Sequence, residues 1–137
     1  MKKEILIIPF FGWAISRLKP ISINRKLKME SLRKVIAEGG ERIQEGYAVL
    51  VFPEGTRKSP KDGIGKFGNS CGVLAANESV PIIPICHNSG KYWLNKSFKK
   101  KSGDISIVIG KPIFGSDPKK LTEESRSWIK KTYSVIG

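Results

Sequence analysis

Tyr47 to Phe52 (YAVLVF) is an apolar run rich in β-forming side chains, and Pro53-Glu54-Gly55-Thr56-Arg57 follows it without a gap. A short continuous run of this kind, bounded by turn residues, reads as a strand buried on both faces. A strand with two apolar faces needs layers on either side, and the neighbouring segments have the pattern to supply them. Met29 to Glu45 puts Leu32, Val35, Ile36 and Ile43 on one helical face, and Gly46 is a natural stop. Gly39-Gly40 weakens the middle of that helix by about 1 kcal/mol per glycine relative to alanine. Asn69 to Glu78 is a shorter helix candidate. Val80 to Ile85 (VPIIPI) reads as a strand whose two prolines demand an edge, a start or a bulge. Ile105 to Ile109 alternates like a strand and ends at Gly110. Thr122 to Ile136 carries Trp128, Ile129, Thr132 and Ile136 on one side, with Leu121 before them and Asp117-Pro118 as the lead-in. Helix, strand, helix, strand, strand, helix is the order of an α/β protein with a layered, mainly parallel sheet flanked by helices.

The chain of 137 residues suits one domain, taken as residues 1–137. Hydrophobic residues at 39% and charged residues at 27% exclude a fully disordered chain. Cys71 and Cys86 are too few for a disulfide scaffold and favour a reduced setting. With His87 they make poor zinc spacing, and no Cys-x-x-Cys exists, so no metal site is expected. The most apolar stretch, Ile5 to Ile15, is broken by Pro9 and Gly12 and is shorter than the roughly 20 residues a spanning helix needs. It follows Met1-Lys2-Lys3, yet no small-x-small cleavage site comes after it, which weighs against a secretory signal.

The formal net charge is +13. Such a surface suits an anionic membrane or a nucleic acid equally well. The densest run, Lys99-Lys100-Lys101, reads first as a solvated turn between two elements.

Ligand sites in open α/β sheets lie beyond the carboxyl ends of strands, where Pro53 to Arg57 falls. Gly55 permits a left-handed turn or a close backbone approach. Glu54 can accept from a hydroxyl, Thr56 offers a hydroxyl and a backbone N–H, and Arg57 presents a fork that matches a phosphate. Together they suit a phosphorylated polyol. A polar turn with a surface arginine explains the same residues equally well on physical grounds. Gly65-Lys66-Phe67-Gly68-Asn69-Ser70 has glycines but no Gly-Lys followed by Ser or Thr, so it is not a P-loop.

Phe52-Pro53-Glu54-Gly55-Thr56-Arg57 resembles the signature block of the bacterial 1-acyl-sn-glycerol-3-phosphate acyltransferase family, the glycerolipid acyltransferases. Further segments resemble the same family in order. They are Pro9-Phe10-Phe11-Gly12-Trp13, Ile23-Asn24-Arg25, Val80 to Ile85, His87 to Gly90 with Tyr92-Trp93, and Ile109-Gly110-Lys111-Pro112-Ile113. The resemblance implies substrate binding by Asn24, Arg25, Glu54, Gly55, Thr56, Arg57 and Pro81. In that scheme Arg25 and Arg57 hold the phosphate of lysophosphatidate. Glu54, Gly55 and Thr56 shape the glycerol side, and the strand around Pro81 lies near the acyl chain. Acyl-CoA or acyl-carrier protein is the implied co-substrate, with no bound cofactor. The implied partners are these molecules and a membrane surface, not nucleic acid. The implied location is peripheral, at the cytoplasmic face of the membrane.

The family's catalytic block is His-x-x-x-x-Asp, in which the histidine takes the hydroxyl proton and the aspartate orients it. His87, the single histidine, has Tyr92 five residues on and lies after the fourth block, so it is not assigned as the base. The family's aromatic-lysine pair near residue 67 is also missing, since Gly68 follows Phe67. No catalytic residue is therefore assigned. The expectation is a family fold incomplete at its N-terminus, beginning downstream of the histidine block, that binds substrate, associates through exposed apolar surface and does not turn over alone. The competing expectation is a non-catalytic basic module that binds nucleic acid or anionic lipid.

Overall fold

The computed structural model describes residues 11–22, 28–56, 58–94, 98 and 100–137. The chain divides into two compact units, Met1–Val49 and Leu50–Gly137.

The first unit contains helices α1 (Phe11–Ser16) and α2 (Lys28–Gln44). Helix α2 carries Glu30 in its first turn and Arg42 in its last, each placed to complement the helix dipole. Gly39 and Gly40 do not break it, and both are buried. The helix ends where the sequence predicts. Gly46 is left-handed (φ +86°) and donates to the Ile43 carbonyl at 2.9 Å, and Tyr47 N–H donates to the Arg42 carbonyl at 2.9 Å. This pair of bonds caps the last free carbonyls of the helix. Lys19 closes on the same corner, 3.2 Å from Glu45 and 4.4 Å above the Tyr47 ring.

The second unit is built from α3 (Ser70–Asn77), β1 (Ile85–His87), β2 (Ile107–Ile109) and α4 (Pro118–Ile136). Asp117 caps α4 by accepting from the N–H groups of Lys119 at 2.8 Å and Lys120 at 3.2 Å, and Pro118 occupies the first turn. Helices α3 and α4 meet at Gly72, where any Cβ would collide with the Pro118 carbonyl oxygen and Thr122 Oγ1. Leu74, Ala75, Cys86 and Leu121 form the buried core, with Leu121 only 2% exposed. Burying one such leucine contributes about 2 kcal/mol.

Strands β1 and β2 pair antiparallel, Ile85 with Ile109 and His87 with Ile107. An isolated bridge extends the ribbon, joining Ile82 to Ile113. Between bridge and ladder, three steps on one side (82 to 85) face four on the other (109 to 113), so the second strand bulges around Lys111-Pro112. Pro84, which has no N–H to give, accepts from Gly110 N–H at 2.9 Å. The prolines of the VPIIPI segment thus sit beside a bulge, one of the three places that suit them.

Two expectations are not met among the described residues. The described residues form no parallel sheet; their ladder is two-stranded and antiparallel. Nor is Tyr47–Phe52 a strand buried on both faces. It makes no ladder, and Leu50 and Phe52 are 73% and 72% exposed. An apolar run becomes a strand only when neighbouring strands take up its N–H and C=O groups, and no described strand pairs with it.

Candidate functional site

Phe52 to Gly55 closes a tight turn, with Gly55 N–H donating to the Phe52 carbonyl at 3.0 Å. Proline at the second position and glycine at the fourth are what this turn favours. Gly55 is left-handed (φ +65°), and no atom lies within 4 Å of where its Cβ would stand. Its constraint is therefore the backbone angle and not crowding.

The turn is tied to a second segment. Gly68 N–H donates to the Pro53 carbonyl at 2.8 Å, and Gly65 N–H donates to Glu54 Oε1 at 3.1 Å. Gly65 is buried and is held from its other side by α4, where Arg126 Nε–H donates to the Gly65 carbonyl at 2.9 Å. Arg126 Nη1 in turn meets Glu123 Oε1 at 3.1 Å. The Lys58 side chain lies against Gly65, its Nζ 2.7 Å from where a Cβ would be. One oxygen of Glu54 thus fixes the shape of the turn, which makes Glu54 a positioning residue. Gly55 and Thr56 remain exposed beside it.

Asn24, Arg25 and Arg57 lie outside the described residues. Pro81 is half-buried at the start of the ribbon. It is placed from α3, where Val80 N–H donates to the Ala75 carbonyl at 3.0 Å, and from Ile82, which exchanges both backbone bonds with Ile113. His87 is exposed at the end of β1, and its Nδ1 is 2.9 Å from Ser89 Oγ.

Three anchoring residues escaped the sequence reading: Gly65, Arg126 and Asn88. Asn88 is buried. Its Nδ2 donates to the Ile136 carbonyl at 3.0 Å, and its Oδ1 accepts from Ser106 N–H at 2.9 Å. No local pattern marks them, because their partners are distant in sequence. Cys86 is buried with its Sγ 3.7 Å from the Ile129 carbonyl, and burial pushes its thiol above the ordinary value. It serves as a small core side chain, and among the described residues no group of metal-ligating side chains assembles.

A family profile for acyltransferases matches residues 1–88, the stretch that contains this turn. The chain belongs to the acyltransferase family. Over its whole length it is 38% identical to a 1-acyl-sn-glycerol-3-phosphate acyltransferase of Pseudomonas aeruginosa, covering 55% of that protein. It is 32% identical to the chloroplastic 1-acyl-sn-glycerol-3-phosphate acyltransferase BAT2 of Brassica napus, over 99% of this chain and 40% of that one. Its fold is similar to the crystal structure of the 1-acyl-sn-glycerophosphate acyltransferase PlsC from Thermotoga maritima. The TM-score is 0.77 at 25% identity, over 98% of this chain and 54% of that one. The chain spans about half the length of these acyltransferases, or less. No helix among the described residues is long and apolar enough to cross a membrane.

Proposed function

We propose that this chain supplies the lysophosphatidate-binding part of a 1-acylglycerol-3-phosphate O-acyltransferase of phospholipid synthesis. The reaction moves a fatty acyl group from acyl-carrier protein or acyl-CoA to 1-acyl-sn-glycerol 3-phosphate and yields phosphatidate. The free glycerol hydroxyl attacks the thioester carbonyl. A C–O bond forms, the C–S bond breaks, and the hydroxyl proton passes to a base. The observation that carries this reading is the Phe52–Gly55 turn, whose Glu54 carboxylate is spent on Gly65 N–H and so presents Gly55 and Thr56 in one fixed shape. Preorganised backbone of this kind lowers the cost of ordering a site on binding.

In this reading Arg25 and Arg57 neutralise the substrate phosphate, Asn24 assists them, and the Pro81 strand lies along the acyl chain. A layered, mainly parallel α/β sheet belongs to the same reading, and the likeness of fold to the PlsC structure supports it. The chain needs no bound cofactor, acts at the cytoplasmic face of the membrane as a peripheral protein, and does not use nucleic acid as a partner. It binds substrate without turning it over alone, since Tyr92, not an aspartate, stands five residues after its single histidine, His87.

Calorimetric titration with lysophosphatidate below its micelle concentration tests the proposal. Saturable binding that falls at least about tenfold in Arg57→Ala is expected, in line with loss of one charge-assisted phosphate contact. Absence of saturable binding, or equal affinity for lysophosphatidylcholine, would overturn it.

A further inference from the structure

The loop between β1 and β2 leaves the ribbon through a braced base. Tyr92 N–H and Trp93 N–H both donate to the Ser89 carbonyl, at 3.1 and 2.9 Å. Lys101 N–H returns to the Tyr92 carbonyl at 3.0 Å, closing the loop upon itself. The Tyr92 ring packs where any side chain at Gly103 would collide with it. Beneath this closure, Asn88 joins the end of β1 to Ser106 and to the last turn of α4. The base is therefore held by backbone bonds and by one buried side chain.

What this base presents is open to solvent. Phe98 is fully exposed (103%), and Trp93 is 64% exposed. Lys100 Nζ sits 4.5 Å above the Trp93 ring, and Lys91 and Lys101 stand exposed at the two feet of the loop. No carboxylate occurs in the sequence from His87 to Gly103. An exposed phenylalanine and tryptophan flanked only by lysines is the composition of a membrane-interface anchor. The rings enter the boundary between headgroups and acyl chains while the ammonium groups stay on the anionic phosphates. Lys100 covers one face of Trp93, which leaves the indole edge and the whole Phe98 ring for lipid and removes one face from base stacking.

We infer that Trp93 and Phe98, with Lys91 and Lys101 beside them and Lys100 over the indole, dock this chain on an anionic lipid bilayer. The occupant follows from charge complementarity: a cationic rim around bare aromatic rings, in a chain of net charge +13. The inference deepens the peripheral-membrane part of the proposed function and assigns it to this loop. It assigns docking to residues other than those of the Phe52–Gly55 turn, so binding to the bilayer and binding of substrate are tested by different variants.

Co-sedimentation of the full chain with vesicles of phosphatidylglycerol and phosphatidylcholine, free of lysophosphatidate, tests it. The wild-type chain should bind mixed vesicles and bind pure phosphatidylcholine at least tenfold more weakly. Phe98→Ser should lower affinity for mixed vesicles by about tenfold, as expected for withdrawing one aromatic ring from the interface. Lys100→Gln with Lys101→Gln should lower it by about fivefold per lysine removed. Brominated lipid should quench tryptophan emission in wild type and much less in Trp93→Phe. Phe98 is fully exposed, so its replacement should leave the fold intact, and calorimetric affinity for monomeric lysophosphatidate should stay within twofold. Loss of vesicle binding with substrate affinity retained supports the loop. Vesicle binding within twofold of wild type in Phe98→Ser, or quenching unchanged in Trp93→Phe, overturns it. So does a Phe98→Ser defect confined to a single-stranded oligonucleotide or an acidic carrier protein. Loss of substrate affinity in Arg57→Ala is scored in a separate assay, so failure of either proposal leaves the other standing.

Discussion

Arg126 in α4 donates its Nε–H to the carbonyl of Gly65 at 2.9 Å, across 61 positions of sequence. Through Gly65 that contact reaches Glu54, whose carboxylate accepts the Gly65 N–H. The turn that carries the family signature is thereby fastened to the longest helix of its unit.

Arg126→Ala should cost about 1.5–3 kcal/mol in urea unfolding, the range for a lost hydrogen bond to a charged donor. Amide exchange at Gly65 and Gly68 should accelerate with it, because the segment they share loses its hold on α4. A double-mutant cycle with Glu54→Ala should show coupling of at least about 0.5 kcal/mol, and strict additivity would show that the two contacts act independently. Glu54→Gln keeps an acceptor for Gly65 N–H and should recover most of the stability that Glu54→Ala loses.

Gly72→Ala should destabilise the second unit by about 3 kcal/mol, since its Cβ would meet the Pro118 carbonyl oxygen and Thr122 Oγ1. The relief available is a shift of α4 as a whole, because Asp117 and Pro118 hold its start. A urea midpoint unchanged from wild type would mean that the two helices do not approach closely at this position.

Asn88→Ala removes the partners of the Ile136 carbonyl and the Ser106 N–H together. A loss of about 2–3 kcal/mol is expected for leaving two such groups unpaired. Asn88→Asp should be no better, because the oxygen in place of Nδ2 cannot donate to Ile136. Limited proteolysis should show the region around residues 88–106 opening first in both variants.

Burial pushes the Cys86 thiol above its ordinary value of 9.0. In the unfolded chain the thiol ionises first, so above about pH 9 the unfolded state binds fewer protons than the folded one. The neutral thiol's contribution is whole below the unfolded pKa and is lost as pH rises toward the folded value. Stability of wild type measured against Cys86→Ala should therefore be flat from pH 6 to 8 and fall above about pH 9. Maleimide should label Cys71, which is half-buried, well before Cys86. Equal labelling rates in the folded chain would contradict the burial of Cys86.

Local chemistry determined where helices α2 and α4 end and begin. Helix α2 stops at Gly46 because a left-handed residue caps its carbonyls, and α4 starts at Asp117-Pro118 because a carboxylate and a proline suit free N–H groups. The partners lie within a turn or two, so the sequence alone sufficed. The family likewise rests on residues that are contiguous, Phe52 to Arg57, and needed no coordinates to be recognised. Tertiary structure decided the rest. Whether Tyr47–Phe52 pairs as a strand depends on what lies beside it, which no feature of the run itself encodes. That the VPIIPI prolines sit beside a bulge depends on a register set by Ile107–Ile113. That Glu54 holds a turn depends on Gly65 and on an arginine in α4. Hydrogen bonds between segments tens of residues apart leave no periodicity to read, because each is specified by the packing of whole elements and not by the spacing of neighbours.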